Sequence, residues 1–142
     1  MYALDLPADA AAQEYLARER EATTKSEFLG GETIAMAGAS REHNDIVMSL
    51  TFAVMLRLRD SACRAYGSDM RVHTTKGNYC YPDLSVVCGK PRFTDIKGDV
   101  LLDPVVIFEV LSPTTEVLDR GEKLRGYQQT VSIFIPWFRK AA

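Results

Sequence analysis

Histidine is scarce in this sequence and cysteine is unpatterned. Only His43 and His73 are present, which excludes a histidine-rich metal centre of the zinc type. The three cysteines, Cys63, Cys80 and Cys88, are odd in number and form no C-x-x-C pair. Neither a disulfide framework nor a zinc knuckle is expected, and all three read as reduced residues packed like small apolar side chains. No apolar run approaches the roughly 20 residues that cross a bilayer, so no membrane partner is expected. Met1 to Arg20 lacks the basic start and apolar centre of a signal peptide, which points to a cytoplasmic protein. Positive charge is not in excess either. A formal net charge of -2 excludes a global basic field for non-specific nucleic-acid binding and leaves room only for a local basic groove. Nucleophile elbows, Walker loops, dinucleotide fingerprints and H-E-x-x-H helices are all missing.

What is present suits one globular domain over residues 1–142, with 46% hydrophobic and 25% charged residues. A short helix capped by Asp9 runs to Glu21. Gly30-Gly31, set between short apolar segments, reads as a β-hairpin over Ser26–Met36. Ser40 is a plausible N-cap for the clearest helix, in which Ile46, Val47, Leu50, Val54 and Leu58 recur at helical spacing. Short strands follow at Cys63–Tyr66, Met70–Thr74 and Leu84–Val87. The longer apolar run Val105–Leu111 fits a buried strand, and a polar helix is expected from Glu116 to about Gln128. This order predicts an α+β, or mixed α/β, domain with a central mixed sheet flanked by helices.

Glu109 is the strongest chemical signal. It sits within Val105-Val106-Ile107-Phe108-Glu109-Val110-Leu111, where burying a carboxylate is costly unless something pairs with it. Alternation puts it on one strand face with Val105, Ile107 and Leu111, so it either faces a polar site or escapes through the pleat. Asp83 follows Tyr81-Pro82 and opens the next strand. By itself it reads as a turn acid. If the two strands are neighbours, both carboxylates could converge on a hard cation, Mg²⁺ or Mn²⁺ rather than Zn²⁺. Lys123 shares a helix face with Asp119 and Tyr127. Spacing alone favours an exposed ion pair worth little over a lysine reaching a phosphate. Glu32, His43 and Asp69 read first as a hairpin acid, a helix-start residue and a turn residue.

Several stretches resemble a known family. Glu27-Phe28-Leu29-Gly30-Gly31-Glu32, then Met36-Ala37-Gly38-Ala39-Ser40 with His43-Asn44, looks like the opening of the Uma-two-type family of restriction-endonuclease-like proteins. Gly67-Ser68-Asp69-Met70-Arg71-Val72 resembles its middle hairpin, and Tyr81-Pro82-Asp83-Leu84-Ser85-Val86-Val87-Cys88 its first acidic strand. Phe108-Glu109-Val110-Leu111-Ser112-Pro113-Thr114-Thr115-Glu116, leading to Asp119-Arg120-Gly121-Glu122-Lys123 and Tyr127, is the most specific block.

The resemblance covers about Tyr15 to Ile133. It implies the PD-(D/E)XK nuclease fold, a Mg²⁺- or Mn²⁺-dependent phosphodiesterase site and a nucleic-acid partner, DNA first, with pairing into a homodimer. Asp83 and Glu109 match the two acids. The usual lysine position is Leu111, and Lys123 from the next helix is the matching candidate. Glu32 matches an acid that completes the metal shell, and His43 a recurrent histidine without an assigned role. After Ile133 the text departs from the family, as a truncated or frameshifted product would, so some C-terminal strands are expected to be absent. A non-catalytic nucleic-acid-binding or assembly module of the same fold is the rival reading.

Overall fold

In the computed structural model, residues 10–36, 38–75, 77–94, 97–111, 121–131 and 133–138 are described. Ala10–Glu21 forms α1. Strands β1 (Ser26–Leu29) and β2 (Glu32–Ala35) then form the expected hairpin, with Leu29 paired to Glu32. Its two-residue turn needs positive φ at both positions, and Gly30 (58°) and Gly31 (85°) supply it without a Cβ penalty. Helix α2 (Arg41–Leu58) starts where Ser40 predicted, since the Ser40 hydroxyl accepts the His43 N–H at 3.1 Å. The strands β3 (Cys63–Tyr66), β4 (Arg71–His73), β5 (Tyr79–Cys80), β6 (Leu84–Cys88), β7 (Arg92–Phe93), β8 (Val100–Leu102) and β9 (Val106–Leu111) follow. Helix α3 (Glu122–Thr130) and strand β10 (Ile133–Phe138) come last.

The strands form two sheets where one was expected. The larger runs β2-β1-β5-β4-β8-β7 and the smaller β10-β9-β6-β3. Each is mixed: β4–β8 and β9–β10 are parallel, and the remaining pairs are antiparallel. One core lies between the sheets, where Leu29, Val72, Cys80, Leu101, Val87 and Ile107 meet Tyr127 and Val131 at α3. A second core packs α1 on the larger sheet through Ala12, Tyr15, Phe28, Tyr79 and Val100. Alternation explains the division, because Phe28 points to α1 while Leu29 points to the other sheet. The outer face of the smaller sheet, with Val86, Val106 and Phe108, lies against Ala53, Val54 and Leu58 of α2 across an open apolar cleft of about 310 Å³.

One expectation changes. Cys63 and Cys88 are direct partners across β3 and β6 and are joined as a disulfide, leaving only Cys80 as a buried thiol. Their separation of 25 residues gave no hint of an antiparallel register that brings their Cα atoms to 3.9 Å. The terminal segment that departs from the resemblance forms β10, in register with the whole of β9. Pro136 is tolerated there because β10 is an edge strand. The expected helix from Glu116 is described from Glu122 onward, and Asp119 lies outside the described residues.

Candidate active site

Strand β9 lies between β10 and β6, so Glu109 cannot reach solvent at a sheet edge. Its side chain, 6% exposed, enters the space between the sheets on the face shared with Ile107. Asp83 stands one residue before β6. Continued by one residue, the register of Leu84 on Phe108 would bring Asp83 level with Glu109. The Asp83 carboxylate takes over where the ladder ends: Oδ2 accepts the Val110 N–H at 2.7 Å, and Oδ1 meets His43 Nε2 at 3.1 Å. His43 is in position because Ser40 fixes the first turn of α2.

Lys123 and Tyr127, four residues apart on α3, share a face as expected, but that face is buried. The surface ion-pair reading of Lys123 therefore fails. Its ammonium lies 3.1 Å from Glu27 Oε2 and 3.5 Å from Glu109 Oε1, and Tyr127 donates its hydroxyl to Glu109 Oε1 at 3.1 Å. Burial, followed by the nearby Cys80 thiol and the charges of Glu109 and Glu27, pushes the Tyr127 phenol well up, so it remains a neutral donor. Burial first, and then Glu27, likewise pushes the Cys80 thiol up.

Glu27 was missed. The signal was available: alternation along β1 places it on the face of Leu29, which enters the inter-sheet core. The Tyr81 N–H donates to Glu27 Oε2 at 2.8 Å, so the backbone beside Pro82 and Asp83 also holds this acid. Glu32, the expected third acid, is exposed on edge strand β2, so the hairpin's acid beside Glu109 and Lys123 is Glu27. Asp69 is an exposed turn residue that accepts from Lys25.

Exposure rises from Lys123 (5%) and Glu109 (6%) through Glu27 (10%) and Asp83 (14%) to His43 (19%). The cluster therefore opens on the Asp83–His43 side. Glu27 and Glu109 share the Lys123 ammonium, while Asp83 is held by His43 and the Val110 amide. Among the described residues no three His, Cys, Asp or Glu side chains converge on one point. Mg²⁺ does not need three, since one or two carboxylates with water and substrate phosphate suffice. The all-oxygen carboxylate donors of Asp83 and Glu109 fit such a cation.

A helix-flanked α+β fold of this kind is consistent with a restriction-endonuclease-like protein. Residues 12–133 match the Uma2 family, described as "Putative restriction endonuclease", and the chain belongs to that family. Two proteins of Synechocystis sp. (strain ATCC 27184 / PCC 6803 / Kazusa) are similar to it. The uncharacterized protein sll1609 is 39% identical over 84% of this chain and 68% of its own length. The uncharacterized protein slr1290 is 37% identical over 81% of this chain, which spans only 60% of that relative. The fold is similar to a crystal structure from Anabaena variabilis ATCC 29413 titled "a putative nuclease belonging to DUF820". The TM-score is 0.70 at 20% identity, covering 89% of this chain and 73% of that one. No helix among the described residues is long and apolar enough to cross a membrane.

Proposed function

We propose that this chain is a divalent-cation-dependent nuclease that hydrolyses phosphodiester bonds of nucleic acid, DNA in the first instance, as one restriction-endonuclease-like domain. What supports the reading is that the β6–β9 register, continued one residue past Leu84–Phe108, brings Asp83 level with Glu109, whose carboxylate meets a buried lysine shared with Glu27. Asp83 and Glu109 would hold Mg²⁺ or Mn²⁺. A bound divalent cation polarises the scissile phosphate and makes an attacking water more acidic. His43 and the Val110 amide fix the Asp83 carboxylate, and the Tyr127 hydroxyl fixes Glu109. Lys123 brings a positive charge to the phosphate oxygens as negative charge develops there. Glu27 positions that lysine. Glu32, on the same hairpin but exposed, would at most complete the cation's outer shell. A cytoplasmic enzyme would meet a reducing environment, in which the Cys63–Cys88 pair opens.

The test is cleavage of plasmid and single-stranded DNA with Mg²⁺ or Mn²⁺, comparing the wild type with Asp83→Asn and Glu109→Gln. Loss of cleavage in both variants supports the assignment, and full activity in either removes it. The alternative, a binding module of the same fold, is favoured by one observation: Lys123 is engaged with two glutamates. Salt-dependent DNA binding without cleavage, unchanged by Asp83→Asn, would establish it.

A further inference from the structure

Helix α2 covers the smaller sheet with one side and presents apolar side chains on the other. Met48, Phe52, Met55 and Leu56 are 68, 70, 51 and 53% exposed. None of the 18 residues of the helix is fully buried. Spacings of three, four and seven residues put these side chains on one stripe. The stripe has a symmetry of its own. Asp45 lies seven residues before Phe52 and Arg59 seven after, and both are exposed. Met48 lies four before and Leu56 four after, while Ser49 and Met55 lie three to either side. The one ion pair described for Arg59 is a 4.0 Å surface contact with Asp60.

We propose that α2 pairs with the α2 helix of a second copy of this chain, antiparallel about a twofold axis at Phe52. Reversal then sets Phe52 against the partner's Phe52, Met48 against the partner's Leu56 and the small Ser49 against the partner's Met55. Asp45 at each end meets Arg59 of the partner subunit. An acidic end and a basic end equally far from an aromatic centre make the stripe complementary to itself in this orientation, as an isologous interface requires. Two helices crossing at about 20° keep residues within two turns of the axis in contact. Burying the stripe on both copies comes to about 1,000 Å², the low end for a specific interface, so association is concentration-dependent. His43 is in the first turn of α2. The two candidate sites therefore lie at opposite ends of the pair, about 27 Å apart along the helix axis at 1.5 Å per residue.

Sedimentation of the purified chain across the micromolar range tests this without any activity measurement, so the outcome is independent of the nuclease reading. The wild type is expected to shift from single to double mass as concentration rises, and F52E to remain single at every concentration. D45R and R59D are each expected to weaken association several-fold. The double variant D45R/R59D regains it, and so does an equimolar mixture of the two single variants, because each then offers the charge the other needs. That rescue separates a broken interface from a damaged fold, and a melting curve for each variant confirms folding. A single mass at all concentrations for the wild type overturns the proposal. So does a double mass indifferent to F52E, or a charge swap without rescue.

Discussion

Lys123 of α3 holds Glu27 of β1 at 3.1 Å, with the two side chains only 5 and 10% exposed. The pair joins the hairpin to the last described helix, and Glu109 extends it to the central strand of the smaller sheet. Lys123→Met would remove the ammonium that the buried Glu27 and Glu109 carboxylates share. Removing one partner of a buried pair costs about 3–5 kcal/mol. Glu27→Gln should cost less, because its amide oxygen can still accept the Tyr81 N–H. Urea unfolding of the two single variants and the double variant checks this. The double variant should lose less than the two losses added together, because the partners share one interaction.

Asp83→Asn separates metal binding from folding. An asparagine oxygen can still take the Val110 N–H, so the variant should melt within a few degrees of the wild type without metal. Under the proposed assignment, the charge that would hold a divalent cation is lost. Mn²⁺ should therefore raise the melting temperature of the wild type and leave Asp83→Asn unmoved. An equal rise in both would place the cation elsewhere.

The hairpin, the Ser40 cap and the buried Val106–Leu111 strand were legible because each is written in local chemistry: paired glycines, a hydroxyl before a helix, a continuous apolar run. Glu109 was legible for the opposite reason, as a charge where local pattern forbids one. Glu27 was harder. Both faces of β1 are covered, by α1 on one side and the smaller sheet on the other, so no polar face marked where its acid pointed. Lys123 was misjudged from spacing because helical periodicity shows which residues share a face, not what that face meets. The division into two sheets and the Cys63–Cys88 contact depend on pairings between distant segments that no local pattern carries.

Acid should destabilise the fold through His73 before it reaches the carboxylates. Burial holds the folded-state pKa of His73 below 6.5. In the unfolded chain the ring takes up a proton near pH 6.5, while the folded state resists it. Stability is therefore intact above that value and falls as pH drops from it towards the lower folded value. His73→Phe should flatten this part of a stability–pH curve measured by urea unfolding. A second loss belongs to Asp99, whose carboxyl is held below 3.8 chiefly by hydrogen bonding from Arg20. Its stabilisation is present above the unfolded value and lost as pH falls through the folded one.

Thiol counting tests the cysteine arrangement. Unfolded without reductant, the air-oxidised chain should show one reactive thiol, Cys80, and after reduction three. In the native state Cys80 should resist alkylation near neutral pH, because it is fully enclosed and burial raises its pKa. Three thiols before reduction would remove the Cys63–Cys88 bond.

Gly126→Ala sets two effects of opposite sign against each other. Gly126 lies inside α3, where alanine is favoured over glycine by about 1 kcal/mol. An added Cβ, however, would stand 2.9 Å from Thr74 Oγ1 and 3.1 Å from Asn78 Nδ2. Both neighbours are about 1% exposed and cannot swing into solvent. Asn78 also accepts the Gly30 N–H at 3.0 Å, so moving it disturbs the hairpin turn. Overpacking of this kind costs about 1–3 kcal/mol, which outweighs the helical gain. The variant should unfold at lower urea concentration than the wild type. Its effect on the site should be larger than its effect on stability, because α3 carries Lys123 and Tyr127 and must lift away to make room. Thr74→Ala removes the oxygen that the Cβ meets, so the double variant should recover part of both losses. A Gly126→Ala chain more stable than wild type would mean that α3 does not rest on the Thr74–Asn78 turn, and Lys123 would then have to reach Glu27 from another position.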